Sequence, residues 1–147
     1  MMFKRKFLYS RITSASALQP EMHGLYPALV WNTVPTVRTE EIASVMQRLI
    51  ASGCRYIVAA GMECERWHDI ADEQFFAQFP TESERDANFV MTSLHADESP
   101  EDVILFLVYG TSFEEHDFKE FLVLQFGDDA MVESELNAAI ARYKEGN

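Results

Sequence analysis

The fold is decided by a short apolar stretch, YIVAAG at residues 56–61. A strand that is buried on both faces has this composition, and such strands are usually central and parallel. The segment before it has apolar residues at i, i+3, i+4, i+7 and i+8, which is typical of an amphipathic helix. These residues are Ile42, Val45, Met46, Leu49 and Ile50. A helix that leads into a buried strand is the repeating unit of a parallel sheet.

The ends of this helix have their own signals. Thr39 is the predicted N-cap, and Glu40 and Glu41 lie in the first turn, where carboxylates interact favourably with the helix dipole. Gly53 supplies the predicted end, because glycine adopts the left-handed conformation that closes many helices.

The same alternation of strands and helices continues along the chain. The predicted segments are strands at 27–33, 56–61, 88–94 and 118–126, an optional edge strand at 7–12, a turn at 62–65, helices at 40–52, 66–79 and from 130 onward, and a polar loop at 81–87. Residues 103–109 are apolar without a break, so their periodicity fits either a buried helix or a strand. The preceding cap, proline and two acids favour the helix.

This order predicts a small three-layer α/β/α domain with a mainly parallel sheet of four or five strands. Its general form is Rossmann-like or flavodoxin-like. We assign residues 26–147 to a single α/β domain and residues 1–25 to a basic N-terminal arm and loop, which can include the edge strand. The strand order and the oligomeric state do not follow from the sequence.

The charge is large and uneven. The net charge is −12, yet residues 1–11 contain Lys4, Arg5, Lys6 and Arg11 and no acidic side chain. A domain with this much negative charge is repelled by phosphate backbones, which argues against direct nucleic-acid binding. The same charge favours a protein partner with a basic surface. No segment reaches the roughly 20 apolar residues of a membrane span, so we expect no membrane association.

The two cysteines are predicted to be free thiols. Cys54 and Cys64 flank the strand at 56–61, and an extended strand of that length separates their Cα atoms beyond the roughly 7 Å limit for a disulfide. Free thiols are typical of a reducing compartment, and the first residues lack the apolar core of a signal peptide. We therefore expect a cytoplasmic protein.

Ligands of open α/β sheets bind outside the carboxyl ends of the strands. This rule places Asn32, Thr33 and Asp97 at that edge of the sheet. It also selects four ionisable residues, which are Glu63, His68 and Asp69 after the strand at 56–61 and His95 after the strand at 88–94. A histidine beside a carboxylate titrates near neutral pH, which suits general acid–base catalysis. If the protein is an enzyme, these four are the predicted catalytic residues.

Other chemistries have weaker support. Cys64, His68 and His95 are weak metal candidates, because Cys64 and His68 are four apart but no second ligand pair of zinc-site spacing is present. Cys64 and His68 can also be considered as a thiolate pair at a helix N-terminus. Ser93 lies in no Gly-x-Ser-x-Gly elbow, and no glycine-rich phosphate loop occurs. We predict no metal and no cofactor.

The acidic surface suggests the leading function. The predicted partner-binding residues are Glu101, Asp102, Glu114, Glu115 and Asp117. They favour an acidic regulatory or protein-binding domain of the inhibitor, immunity or adaptor type, acting on a basic partner. The alternative is a small-molecule or nucleotide-handling enzyme or sensor with its site at the carboxyl strand ends. A third possibility is an oligomerising scaffold with residues 103–109 at an interface.

Overall fold

The computed structural model describes residues 5–144, which form a five-stranded, all-parallel sheet interleaved with helices. The strand order is β1-β5-β2-β3-β4. The strands are β1 (Lys6–Ile12), β2 (Tyr26–Asn32), β3 (Cys54–Gly61), β4 (Met91–His95) and β5 (Glu120–Phe126). The helices are α1 (Thr39–Ala51), α2 (Cys64–Gln78), α3 (Glu82–Ala87), α4 (Pro100–Tyr109) and α5 (Ala130–Ala141), with a single 3-10 turn at Ala15–Ala17.

Helices cover both faces of the sheet, which gives the predicted three layers. On one face α1 and α2 pack against Ala28, Val30 and Leu124. On the other face α4 and α5 pack against Leu29 and Val123. Side chains alternate between the two faces along a strand, and here both faces are covered. The central strands β2 and β5 are therefore buried almost throughout and are apolar at nearly every position.

Several predicted boundaries were wrong by a few residues. The strand predicted at 88–94 is β4, Met91–His95, and α2 begins at Cys64 rather than at residue 66. Thr39 is the first residue of α1, and the N-cap is Arg38, which makes no side-chain capping hydrogen bond. By contrast, Ser99 and Asp129 cap α4 and α5 with side-chain hydrogen bonds, as the sequence indicates.

The loop predicted at 81–87 was wrong, because Glu82–Ala87 forms the short helix α3. The helix buries none of its residues, so it has no apolar stripe. It is held by a capping box, in which the Thr81 side chain accepts from the backbone N–H of Glu84 and the Glu84 carboxylate accepts from that of Thr81.

Residues 103–109 are helical and belong to α4. Val103, Ile104, Leu107 and Val108 are buried against the sheet of the same chain. Most of this apolar segment is therefore used inside the domain. Leu105 and Tyr109 remain exposed on its outer side.

The edge strand expected at 7–12 is β1, which pairs with β5 in parallel. Of the basic side chains at residues 4–6, Lys6 lies in β1 and the Arg5 guanidinium lies over the Tyr109 ring at 5.1 Å, whereas Lys4 lies outside the described residues. No helix within residues 5–144 has the length and apolarity to cross a membrane.

Candidate functional site

A cleft lies where the strand order reverses. The chain runs from β2 to β3 and β4 on one side of β2, and then crosses to β5 on the other side. Such a reversal separates the connections at the carboxyl ends of neighbouring strands and is the usual position of ligand sites in α/β folds. The carboxyl-edge cleft has a volume of about 320 Å³, and its lining residues are Trp31, Asn32, Thr33, Gly61, Met62, Asp97, Glu98, Asp129 and Val132.

Asn32 fixes the floor of the carboxyl-edge cleft. This last residue of β2 is fully buried, and its Nδ2 donates to the carbonyl oxygens of Val34 at 2.8 Å and Met62 at 2.7 Å. Its Oδ1 accepts from the Val34 backbone N–H at 3.0 Å. One amide side chain thus ties the loop after β2 to the loop after β3.

Gln125 has the matching role in β5. It is fully buried, and its Nε2 donates to the carbonyl oxygens of Gly127 and Asp129, while its Oε1 accepts from the Tyr9 hydroxyl at 2.5 Å. The rule for strand ends places Asn32 at this edge from the sequence alone, whereas it does not select Gln125. The available signal was a polar residue at the end of an otherwise apolar strand, which is costly unless its hydrogen bonds are satisfied.

Three carboxylates face the carboxyl-edge cleft, and no Lys, Arg or His is among its lining residues. Asp129 also accepts from the Val132 backbone N–H as the N-cap of α5. Glu98 Oε1 lies 3.1 Å from Nδ1 of the His95 ring, at hydrogen-bond distance. Asp97 has a left-handed backbone with φ of 60°, which Asp tolerates better than most residues. The cleft is therefore strongly electronegative.

The two predicted catalytic histidines, His68 and His95, lie on opposite faces of the sheet. His68, on α2, has Nδ1 3.0 Å from Asp69 Oδ1 and Nε2 3.2 Å from Thr92 Oγ1, and Thr92 also donates to Asp72. His95 instead interacts with Ser93, the residue after Thr92. Successive side chains of a strand point to opposite faces, so β4 separates the two histidines.

His95 has a relay of polar partners. Its Nε2 lies 2.8 Å from Ser93 Oγ, and its Nδ1 lies 3.1 Å from Glu98 Oε1. The Phe106 ring of α4 packs against the imidazole, with 4.5 Å between the ring centroids. Only 8% of the His95 side chain is exposed. Both ring nitrogens are therefore held in fixed directions.

Glu63 completes the set of predicted catalytic residues, but it does not join either histidine. It is exposed at the N-terminus of α2 and its carboxylate pairs with Arg66 at 3.4 Å. The structure therefore brings His68 next to Asp69 and leaves Glu63 and His95 elsewhere. The four residues do not share one site.

Cys64 does not have the environment of a reactive thiolate. It is the first residue of α2 and is buried, and burial raises the pKa of its thiol despite backbone hydrogen bonds that lower it. The His68 ring is directed to Asp69 and Thr92. Within residues 5–144, no three His, Cys, Asp or Glu side chains are placed to hold a metal ion. The three metal candidates, Cys64, His68 and His95, therefore do not form a metal site.

The five predicted partner-binding acids lie at two ends of one helix. Glu101 and Asp102 are in the first turn of α4, and Glu101 pairs with Arg142 at 2.8 Å. Glu114, Glu115 and Asp117 follow the other end of α4, in the loop before β5. Since α4 spans ten residues, its length of about 15 Å separates the two groups.

The chain was also compared with known proteins. Residues 7–143 match the family model described as a domain of unknown function, DUF7684. The chain belongs to the DUF7684 family. No curated protein sequence matches the chain. The matched range of the DUF7684 domain includes the carboxyl-edge cleft and the Ser93, His95 and Glu98 relay.

Burial of one cysteine thiol and two tyrosine hydroxyls predicts that the protein loses stability at high pH. Burial raises the pKa of the Cys54 thiol to about 12, that of Tyr9 to about 12 and that of Tyr26 still further. The folded chain keeps these protons where the unfolded chain has lost them, so the free energy of unfolding falls as pH rises above about 9, the ordinary cysteine value. Urea unfolding from about pH 7 to about pH 10 checks this. Cys54→Ala should show a shallower fall, and equal curves for both proteins would contradict the assignment.

Proposed function

We propose that the protein is an acidic binding domain, of the inhibitor, immunity or adaptor type, that acts on a partner with a basic surface. The observation that carries the proposal is the carboxyl-edge cleft, which is lined by Asp97, Glu98 and Asp129 and by no basic side chain. A concave acidic site on a body with a net charge of −12 attracts and orients a cationic group of the partner.

The mixed lining of the cleft supports a lysine or arginine side chain as the inserted group. Trp31, Met62 and Val132 supply apolar surface beside the three carboxylates. Lysine and arginine have an apolar stem and a charged head, so they match a site with both kinds of surface. Met62 is 46% exposed and flexible, which suits the first contact with a partner.

The acids that sequence analysis selected extend this surface in one direction. Glu101 and Asp102 follow Glu98 within four residues, at the start of α4. We therefore place them beside the proposed contact and place Glu114, Glu115 and Asp117 outside it. We further propose a cytoplasmic location, which the two buried, unpaired cysteines support.

Neutralising the cleft is expected to weaken binding of a basic peptide. The probe is a fluorescein-labelled peptide of alternating Gly and Lys, and the measurement is fluorescence anisotropy at low salt. Asp97→Asn with Asp129→Asn should raise Kd about tenfold or more, equivalent to about 1.4 kcal/mol. Both substitutions keep the local backbone, because Asn tolerates the left-handed conformation and also caps helices.

The matched control removes two negative charges at the other end of α4. Glu114→Gln with Glu115→Gln changes the net charge equally but leaves the cleft intact, so Kd should rise less than about twofold. An equal loss in both double variants would mean that only net charge matters. A loss confined to the control would place the contact on the loop before β5, and either result would overturn the proposed site.

The position of the cleft also supports the alternative, a small-molecule or nucleotide-handling enzyme or sensor. The reversal of strand order between β2 and β5 is where such ligands bind in this architecture. Native mass spectrometry of protein purified from its own host tests this alternative. A copurified small molecule that is lost from Asp97→Asn would favour the sensor, and a copurified basic protein would favour the binding domain.

A further inference from the structure

We propose that Ser93, His95 and Glu98 form a hydrolytic triad, with Ser93 as a nucleophile toward small neutral carboxylic esters. This activity goes beyond the proposed binding function. Ser93 lies within β4 and does not line the carboxyl-edge cleft, whereas Glu98 belongs to both the cleft and the triad. The triad is a constellation that the sequence did not reveal, since Ser93 lies in no recognised motif.

The distances match the roles of nucleophile, base and positioning residue. Ser93 Oγ is 2.8 Å from His95 Nε2, within the range for proton transfer. His95 Nδ1 is 3.1 Å from Glu98 Oε1 on the opposite side of the ring. A carboxylate at Nδ1 selects the tautomer whose Nε2 accepts the serine proton. The order of contacts is that of a serine, histidine and acid triad, which is recognised by geometry and not by sequence position.

The surroundings hold the histidine and leave the serine accessible. The His95 imidazole is covered by the Phe106 ring at 4.5 Å and is 8% exposed, so its orientation is fixed. Ser93 is only half-buried. β4 is at the edge of the sheet, so one side of this strand is not covered by another strand.

The proposed step is acyl transfer to serine. Ser93 Oγ attacks the ester carbonyl while its proton passes to His95 Nε2. The C–O bond to the alcohol then breaks, and the alcohol leaves with that proton. Water repeats the sequence on the acyl-serine, giving the carboxylic acid and free Ser93. The Glu98 carboxylate stabilises the imidazolium. Its negative charge, together with that of nearby Asp97, disfavours anionic substrates and favours neutral esters.

A fluorophosphonate probe tests whether Ser93 is activated. The probe forms a bond to an activated serine oxygen with loss of fluoride, and intact-protein mass spectrometry counts the adduct. We expect one adduct on the native protein, none on Ser93→Ala, and an unchanged adduct on Ser10→Ala. Ser10 is the matched control, because it is a half-buried serine on the other edge strand, β1. No adduct on the native protein, or an equal adduct on Ser93→Ala, would overturn the proposal.

Two cysteine variants test the role of His95 as the base in a second, independent reaction. Ser93→Cys should alkylate with iodoacetamide at least about 100-fold faster than Ser10→Cys, because His95 acts as its base. The two native cysteines are buried and give a low background. Equal alkylation rates for the two introduced thiols would contradict the triad.

The role of Glu98 is tested through the pH profile of p-nitrophenyl acetate hydrolysis. Glu98→Gln removes the carboxylate that stabilises the imidazolium, so the rate should fall about 10-fold to 100-fold and the histidine limb of the profile should move to lower pH. A purely structural role for Glu98 would change stability and leave the position of that limb unmoved.

Discussion

Gly61→Ala is expected to lower the free energy of unfolding by about 3 kcal/mol or more, which is a large share of the stability of a domain this size. Gly61 ends β3 with φ of 87°, in the left-handed region that side chains rarely occupy. An added Cβ would collide with the backbone oxygen of Asn32 and would lie 2.9 Å from its backbone nitrogen and 2.8 Å from Trp31 Cδ1. The backbone of the central strand β2 cannot move aside without breaking its ladder.

Urea unfolding of Gly61→Ala and Gly24→Ala distinguishes the free-energy cost of the steric collision from the cost of a positive φ. Gly24 also has a positive φ, 136°, but an added Cβ would have nothing within 4 Å. Its substitution should therefore cost only about 1 kcal/mol, from conformation alone. A similar loss in both variants would show that the close approach of β3 to β2 has no separate cost.

Asn32→Asp is expected to destabilise the protein by about 3 kcal/mol or more at neutral pH. The substitution keeps the shape but replaces the Nδ2 donor, which lies 2.8 Å from the Val34 carbonyl and 2.7 Å from the Met62 carbonyl, with an oxygen. The carbonyl oxygens of Val34 and Met62 would each face an oxygen in place of a donor. The buried carboxylate would keep only the Val34 backbone N–H as a hydrogen-bond donor, with no positive charge beside it. Because Asn32 joins the loops after β2 and β3, the carboxyl-edge cleft should also become mobile.

The pH dependence of this variant distinguishes its cause. A buried, unpaired carboxyl has a pKa above its unfolded value, so the folded variant regains stability as pH falls and the group is protonated. The urea midpoint of Asn32→Asp should lie well below that of the native protein near pH 7 and should approach the native midpoint near pH 5. Asn137→Asp is the control, since its Nδ2 donates to Glu133 on the exposed side of α5 and its loss should be under about 0.5 kcal/mol. A flat pH response in Asn32→Asp would contradict the burial argument.

Local patterns predicted the fold class because they report burial directly. The apolar stripe of α1 and the apolar run of β3 identified a helix between parallel strands, and Ser99 and Pro100 correctly marked the start of α4. The short helix α3 was not predicted, because it buries no residue and so has no apolar pattern, although Thr81 and Glu84 form a recognisable capping box. Strand order was not predictable, because it depends on long-range pairing such as that of β1 with β5.

The candidate site was only partly predictable for a related reason. Placing residues after strands correctly brought Asp97 and the end of β3 to the carboxyl edge. It could not assign His68 and His95 to opposite faces, because that depends on which strand positions face each helix. The contact between Ser93 and His95 follows from their spacing of two along one face of β4, a relation that becomes informative only once the strand register is known.

The position of β5 constrains how the chain can reach its native state. β5 lies between β1 and β2, so Lys6 finds its partner in Glu120, near the other end of the chain. During synthesis β2, β3 and β4 can assemble early, while β1 has no strand to pair with until β5 has left the ribosome. Loop closure over such a separation is slow, and contact order of this kind lowers folding rates. Completion of the sheet is therefore a late event, and until then the inner edge of β2 is open to pairing with other chains.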